Sequence, residues 1–312
     1  MNPALICDLL FAMLNPKLIP ARLNPGPSMR APSDSCGFIL HEKGRQHYWE
    51  GIGLLSIKSF SHGRALYDTG RGLYAVDESS YLILNNQQPY SITIESNSVV
   101  ESFCIFFKAN FAEQVYYSLS SEQGKLLDNP VPHNRLPVGF FDKTYPHDRV
   151  VSPALLSLKS SLAERKEQAG WLEERMHELM QLLLHVREGT KKEALALNAV
   201  RVSTREELYR RLIRAKDYIS ACFDRPLTLK EIASVACLSP NHLLRSFRQA
   251  FHQTPHQFLN AKRLEHAQNM LAHSELSVTD ICFAVGFESL SSFSRMFRHH
   301  TGFSPNEYRR KR

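Results

Sequence analysis

The sequence predicts an α+β protein of several domains: an N-terminal antiparallel β-barrel, a helical linker, and a C-terminal all-α domain built from two helix-turn-helix units. Three observations predict it. Short β-branched and aromatic runs broken by Gly, Asn, Asp and Pro fill residues 36–108, and apolar residues at steps of three and four fill residues 153–188. The last hundred residues repeat themselves at an offset of about fifty. A chain of 312 residues accommodates two domains, and 43% hydrophobic residues supply material for real cores. The expected boundaries are an extension over 1–33, a β domain over 34–150, a helical linker over 151–204 that offers a dimer contact, and the helix-turn-helix domain over 205–312.

The extension begins with an apolar run, Ala4 to Leu14, and becomes Pro-rich through Pro16, Pro20, Pro25, Pro27 and Pro32. A short helix followed by an extended leader is expected. The run contains Asp8 and is shorter than the roughly 20 residues that cross a bilayer. No positive charge precedes it, and Lys17 and prolines stand where a cleavage site is wanted, so neither a membrane span nor a signal peptide is expected. The expected location is the cytoplasm. Cys7, Cys36, Cys104, Cys222, Cys237 and Cys282 include no C-x-x-C pair, which points to reduced thiols rather than a zinc finger or a disulfide framework.

In the β domain, strands are expected at Gly37–His41, Ile52–Phe60, Tyr81–Asn85, Tyr90–Ile94 and Val99–Phe107, with residues 85–89 as the turn between two of them. Strands at such spacing form a sandwich or a barrel. In the linker, Leu172, Met176, Leu179, Leu183 and Val186 form one stripe. Two readings of it stay open: packing on the chain's own β domain, or a dimer contact. Residues 189–204 are polar and read as the connecting segment.

Charge is unevenly distributed. The chain carries +7 in all, whereas residues 201–312 hold 18 Lys/Arg against 10 Asp/Glu, net +8. This asymmetry suits a polyanion partner for the C-terminal module. In the repeat, Thr228 to Ala236 corresponds to Ser277 to Val285 at an offset of 49. After the turn the offset is 50, pairing Ser239 with Ser289, Leu243 with Phe293, Arg245 with Arg295, Phe247 with Phe297, Arg248 with Arg298 and Pro255 with Pro305. Each copy reads as helix, tight turn, helix. Thr228 with Glu231, and Ser277 with Asp280, have capping-box spacing. Ile232, Val235 and Ala236, like Ile281, Ala284 and Val285, put an apolar stripe inward. Ser239 and Ser289 are expected N-caps of the second helices, with Pro240 at a first helical position.

Those second helices should bury Leu243 and Phe247, or Phe293 and Phe297, and present Asn241, Arg245 and Arg248, or Ser291, Arg295 and Arg298. A basic helix face of this kind fits the major groove, where Arg donates twice to guanine and Asn pairs with adenine. A third helix, Pro255 to His273, separates the copies by about 28 Å, near the roughly 34 Å between successive major-groove faces.

From about Glu206 to Arg310 the sequence resembles the DNA-binding domain of the AraC/XylS family of bacterial transcription regulators. The likeness is carried above all by residues 281–298, from Ile281 through Gly286, Phe287 and Phe293 to Arg298, followed by Gly302, Pro305 and Tyr308. It implies base-facing Asn241, Leu244 and Arg245 in the first unit and Leu290, Ser291, Ser294 and Arg295 in the second, with Arg248 and Arg298 on phosphates. Two positions depart from the pattern: Cys237 where the family often has Gly or Ala, and His252 where the second copy has Gly302. The resemblance also implies a cupin-like N-terminal domain that senses a small effector or dimerises. Tyr81, Tyr90 and Phe106 are candidate pocket residues.

The expected function is a promoter-binding regulator, an activator, with double-stranded DNA, RNA polymerase, a small effector and a second copy of the chain as partners. No cofactor and no catalytic residues are expected. One alternative is a metal-dependent cupin enzyme with an appended DNA-binding domain, its candidate ligands being His41, His47 and Glu50. Another is a regulator whose β domain only dimerises. No G-x-S-x-G, P-loop or dinucleotide glycine pattern occurs, and Glu173, Glu174 and Glu178 lie on a helix with Arg175 and His177, which suits a solvated face better than an acid/base pair.

Overall fold

The computed structural model describes residues 36–121, 137–165, 170–197 and 202–311. The expected leader over 1–33 lies outside the described residues. The chain divides into two compact units, one ending at Arg210 and the other beginning at Arg211.

In the first unit seven strands form one antiparallel sheet: β1 (Gly37–Ile52), β2 (Ser56–Ser61), β3 (Ala65–Asp68), β4 (Leu73–Val76), β5 (Ser80–Leu84), β6 (Pro89–Phe107) and β7 (Thr144–Pro146). Strand β6 organises the rest. It pairs along its length with β1, through residues 91–93 with β3, and through residues 101–106 with β2. The order is β4-β3-β6-β2-β5-β7, and β4 also meets β5 and β7, so the sheet curls into a nearly closed barrel. The turn at 85–89 joins β5 to β6 as expected, with Gln87 at φ 59. The hairpin of β3 and β4 was not among the expected strands; each has only four residues, too few for a clear alternation.

Alternation along the strands separates two cores. The barrel's inner face carries Phe60, Tyr67, Tyr90, Ile92, Cys104 and Phe106. The outer face carries Ile57, Tyr81, Ile83, Ile105 and Phe107, and is covered by α1 (Phe111–Ser120), α2 (Val151–Arg165) and α3 (Trp171–Leu195). Met176, Leu179 and Leu183 are fully buried in that outer core, and Leu172 and Val186 pack at its margin. Each buried side chain of this size contributes about 1.5 to 3 kcal/mol. Of the two readings of the α3 stripe, packing on the chain's own sheet is therefore the one realised. Glu101 of β6 pins α2 to the barrel, accepting from Lys159 at 2.7 Å and from His41 at 2.8 Å.

Two expectations are corrected here. Residues 189–204 are not a simple connecting segment, because α3 runs through Gly189 to Leu195 and another helix begins at Val202. A glycine inside a helix costs about 1 kcal/mol. That is outweighed by buried Thr190 and Ala194 and by Lys191 and Arg187 paired with Glu188. Second, Cys36, Cys104, Cys222 and Cys282 are free thiols, whereas Cys237 is disulfide-bonded, so the cysteines are not all reduced.

The second unit is helical: the end of α4 (Val202–Ala221), then α5 (Leu229–Val235), α6 (Pro240–Phe251), α7 (Pro255–His273), α8 (Val278–Ala284), α9 (Leu290–Thr301) and α10 (Pro305–Arg310). Its core is fixed by Phe247, Phe258, Phe293 and Phe297, with α7 touching α6 on one side and α8 and α10 on the other.

Candidate nucleic-acid interface

The sequence repeat is reproduced as a repeat of local geometry. Helices α5 and α8 have seven residues each, and α6 and α9 have twelve. Thr228 and Ser277 cap the first pair, accepting from the backbone N–H of Glu231 and Asp280, while Ser239 and Ser289 cap the second pair, accepting from His242 and Ser292. Both turns pass through a left-handed residue at the matched position, Cys237 (φ 51) and Gly286 (φ 86). Both second helices also end on one, His252 (φ 57) and Gly302 (φ 81). The two departures from the family pattern are thus places where a side-chain-bearing residue adopts the geometry that glycine takes in the other copy. Beyond them, α7 and α10 each open with a proline and a full capping box, Thr254 with Gln257 and Ser304 with Glu307.

On α6, Leu243 and Phe247 are fully buried while Asn241, Leu244, Arg245 and Arg248 are exposed. On α9, Phe293 and Phe297 are buried while Leu290, Ser291, Arg295 and Arg298 are exposed, and Ser294 is half-buried. Neither helix contains an acidic residue. Arg245, Arg248 and Arg295 have no ion pair among the described residues, and Arg298 lies near the Glu307 carboxylate, which the Ser304 backbone and hydroxyl hold below its usual range. Other arginines are committed to the fold. Arg225 pairs with Glu231, and both bond to the Tyr218 hydroxyl. One expectation fails: Ala284 is exposed, and Cys282, fully buried, takes the inward place beside Ile281 and Val285. Step counting does not anticipate this, because at 3.6 residues per turn positions 282 and 284 flank the Ile281–Val285 line on opposite sides, and packing here covers the side of Cys282.

Sequence reasoning missed the joint between the two copies. Arg263 of α7 is 9% exposed and donates from Nε to the Phe223 carbonyl and from Nη2 to the Arg225 carbonyl, both at 2.8 Å. Its guanidinium also lies over the Phe287 ring of the second turn, at 5.5 Å. At Gly286 a Cβ would stand 2.8 Å from the Phe223 carbonyl oxygen. Glycine is required there both for its positive φ and for this approach. The only available signal was an arginine within the apolar stripe of α7.

Comparison with known proteins follows the same limits. A family described as a helix-turn-helix domain matches residues 232–311. An uncharacterised HTH-type transcriptional regulator of Staphylococcus aureus (strain COL) is 38% identical over 93 residues, which are 30% of this chain and 12% of that protein. The chain therefore spans about an eighth of that relative's length. Among solved structures, the C-terminal domain of AraT, a response regulator from Geobacillus stearothermophilus, is 34% identical over 33% of this chain and 85% of that one (TM-score 0.32). A probable AraC family transcriptional regulator from Rhodopseudomonas palustris is 26% identical over 32% of this chain and 95% of that one (TM-score 0.31). Residues 232–311 of this chain are an AraC-type helix-turn-helix domain.

Within that AraC-type domain, α6 and α9 are the second helices of the two units and α7 is the connector. Besides the expected residues, His242 and Gln249 of α6 and His299 and His300 of α9 are exposed on the same helices. In the barrel, Tyr90 and Phe106 line a cavity of about 180 Å³ that is open to solvent on the side of exposed Glu42 to His47. Tyr81 does not: it lies in the outer core, stacked on Tyr145 with its hydroxyl directed to Asp148. His41, His47 and Glu50 are held apart, His41 by Glu101, Glu50 by the Tyr48 hydroxyl, and His47 at the cavity wall. No group of His, Cys, Asp and Glu suited to a metal ion occurs among the described residues. Nor is any helix among them long and apolar enough to cross a membrane.

Proposed function

We propose that the chain is a transcription regulator in the cytoplasm that reads two adjacent major grooves of promoter DNA with α6 and α9, under the control of a small effector bound in the barrel. The observation that carries this reading is the pair of acid-free helices, equal in length and each capped by a serine, with Arg245 and Arg248 of α6 and Arg295 of α9 exposed and without an ion pair among the described residues. In this reading Asn241, Leu244, Arg245, Leu290, Ser291, Ser294 and Arg295 face bases, and exposed Leu244 and Leu290 suit thymine methyl groups. Arg248 and Arg298 meet phosphates, positioning the helices without reading sequence. The Arg263 joint fixes the spacing between them. The protein acts without catalysis, pairs with a second copy of itself, and activates by contact with RNA polymerase.

Selection of duplexes from a random pool by the full-length protein tests the reading. A conserved bipartite site with one helical turn between its halves is expected, and binding that weakens steeply with salt. Recovery of no common sequence overturns it. Transcription in vitro from a promoter carrying that site should rise when the protein is added, and sedimentation should show a dimer.

A further inference from the structure

Lys58 is the least conventional residue of the barrel. It lies on β2 in register with Cys104 of β6 and Leu82 of β5, on the inward face of the strand. It is 2% exposed, and its ammonium has no ion pair or hydrogen bond among the described residues. Its close neighbours are aromatic faces, Phe106 with its centroid at 3.7 Å and Tyr90 at 5.5 Å. Such contacts soften the loss of hydration without replacing a counter-ion. Buried lysines are almost always paired. Burial holds this one down to about 8, so at neutral pH it is still largely charged. It also borders the cavity, with Trp49, Phe60, Tyr67, Ile92 and Phe106 as apolar wall. The other titratable groups there are Glu42, Lys43 and His47 on β1, Tyr67 on β3, and Tyr90 and Cys104 on β6. Glu42 forms no ion pair with Lys58.

A cavity of about 180 Å³ is slightly larger than one of roughly 150 Å³ that accepts benzene. The part of an occupant held inside is therefore about one ring. Lys43, the other lysine on the lining, is 66% exposed and pairs with Glu101 at 3.5 Å, which leaves Lys58 as the interior lysine to match a single negative charge; a phosphate dianion wants a fork of donors or a second cation. A neutral occupant leaves the ammonium unpaired. We propose that the barrel binds a small monocarboxylate with an aromatic or aliphatic body, its carboxylate on the Lys58 ammonium and its body against Trp49, Phe60 and Tyr90. This deepens the effector reading above and rests on it for its regulatory meaning.

The test uses the full chain with Trp171→Phe, which leaves Trp49 as the one tryptophan. Benzoate, cyclohexanecarboxylate and the neutral benzamide are titrated while Trp49 fluorescence is followed. Saturable binding of at least one carboxylate is expected, with benzamide weaker by about tenfold or more. Lys58→Met should lose that preference and keep its benzamide affinity; Lys58→Gln serves if the Met variant changes the circular dichroism of the fold. Equal affinity for carboxylate and amide, unchanged carboxylate binding in both variants, or no saturation by either carboxylate up to about 10 mM overturns the proposal. DNA affinity measured with and without carboxylate separates the two claims. Binding that leaves DNA affinity unchanged keeps the Lys58 site and removes its role as a sensor; DNA binding without carboxylate binding does the reverse.

Discussion

Replacing Lys58 with Met should stabilise the barrel, and by an amount that depends on pH in a defined direction. Lys58 is 2% exposed and unpaired among the described residues, and burial lowers its pKa from 10.5 to about 8. The folded barrel thus holds that proton less tightly than the unfolded chain does. The resulting penalty is fully present below pH 8 and disappears as pH rises from about 8 to 10.5. The difference corresponds to about 3 kcal/mol, an upper figure since local relaxation reduces it. Burial holds Tyr67, Tyr90 and Cys104 above their ordinary ranges, so their unfolded forms ionise in part of the same window. For Tyr67 and Tyr90 that contribution is common to both proteins and cancels in the comparison, whereas the Cys104 thiol is also pulled down by Lys58 and rises further in the variant. Both tryptophans lie in the barrel unit, so urea unfolding followed by tryptophan fluorescence reports on that unit. Lys58→Met should be more stable than the parent by about 3 kcal/mol at pH 7, with the gap closing towards pH 10.5. A gap that stays constant with pH, or a less stable variant, refutes the argument.

Three other perturbations follow from the same structure. His252→Gly should stabilise the C-terminal unit by about 0.5 to 1 kcal/mol, since it relieves a left-handed side-chain-bearing residue while adding some unfolded-state entropy; its melting temperature should rise by a few degrees. Gly286→Ala should cost about 2 to 4 kcal/mol, because its Cβ would stand 2.8 Å from the Phe223 carbonyl oxygen at φ 86. Denaturant unfolding checks it, and a neutral result removes the close approach from the account of the joint. Glu101→Gln should matter only above the acid range. Its carboxyl is held down to about 2, first by Lys159 and then by His41, so its contribution is present above pH 4.5 and lost as pH falls towards 2. Solvent screening limits the effect to about 1 kcal/mol, measured as the difference in urea stability between pH 7 and pH 3.

What could be read in advance followed from period and duplication. The limits of α7, Pro255–His273, were legible because a proline opens it and its apolar spacing holds throughout. The buried phenylalanines and the serine caps were legible because each copy of the repeat checks the other. The helix content around Gly189 was not, because tertiary burial of Thr190 and Ala194 overrides the local signal of a polar, glycine-containing stretch. Lys58 was not legible either. A lysine between Ile57 and Ser59 reads as the solvent side of a half-buried strand, and only closure of the sheet turns that side into an interior. Arg263 and Gly286 are long-range partners, 23 residues apart, whose meeting depends on how α7 packs beneath the second turn.

The most direct test of the central claim is the affinity of the full-length protein for its selected site and for a scrambled duplex, by fluorescence anisotropy at about 50 and 200 mM salt. Arg245→Ala and Arg295→Ala are each predicted to lose about 1 to 3 kcal/mol on the site alone and to relax base preference at one position, whereas Arg298→Ala should weaken both duplexes alike. Unchanged site preference in both of the first two variants, or binding indifferent to salt, contradicts the account.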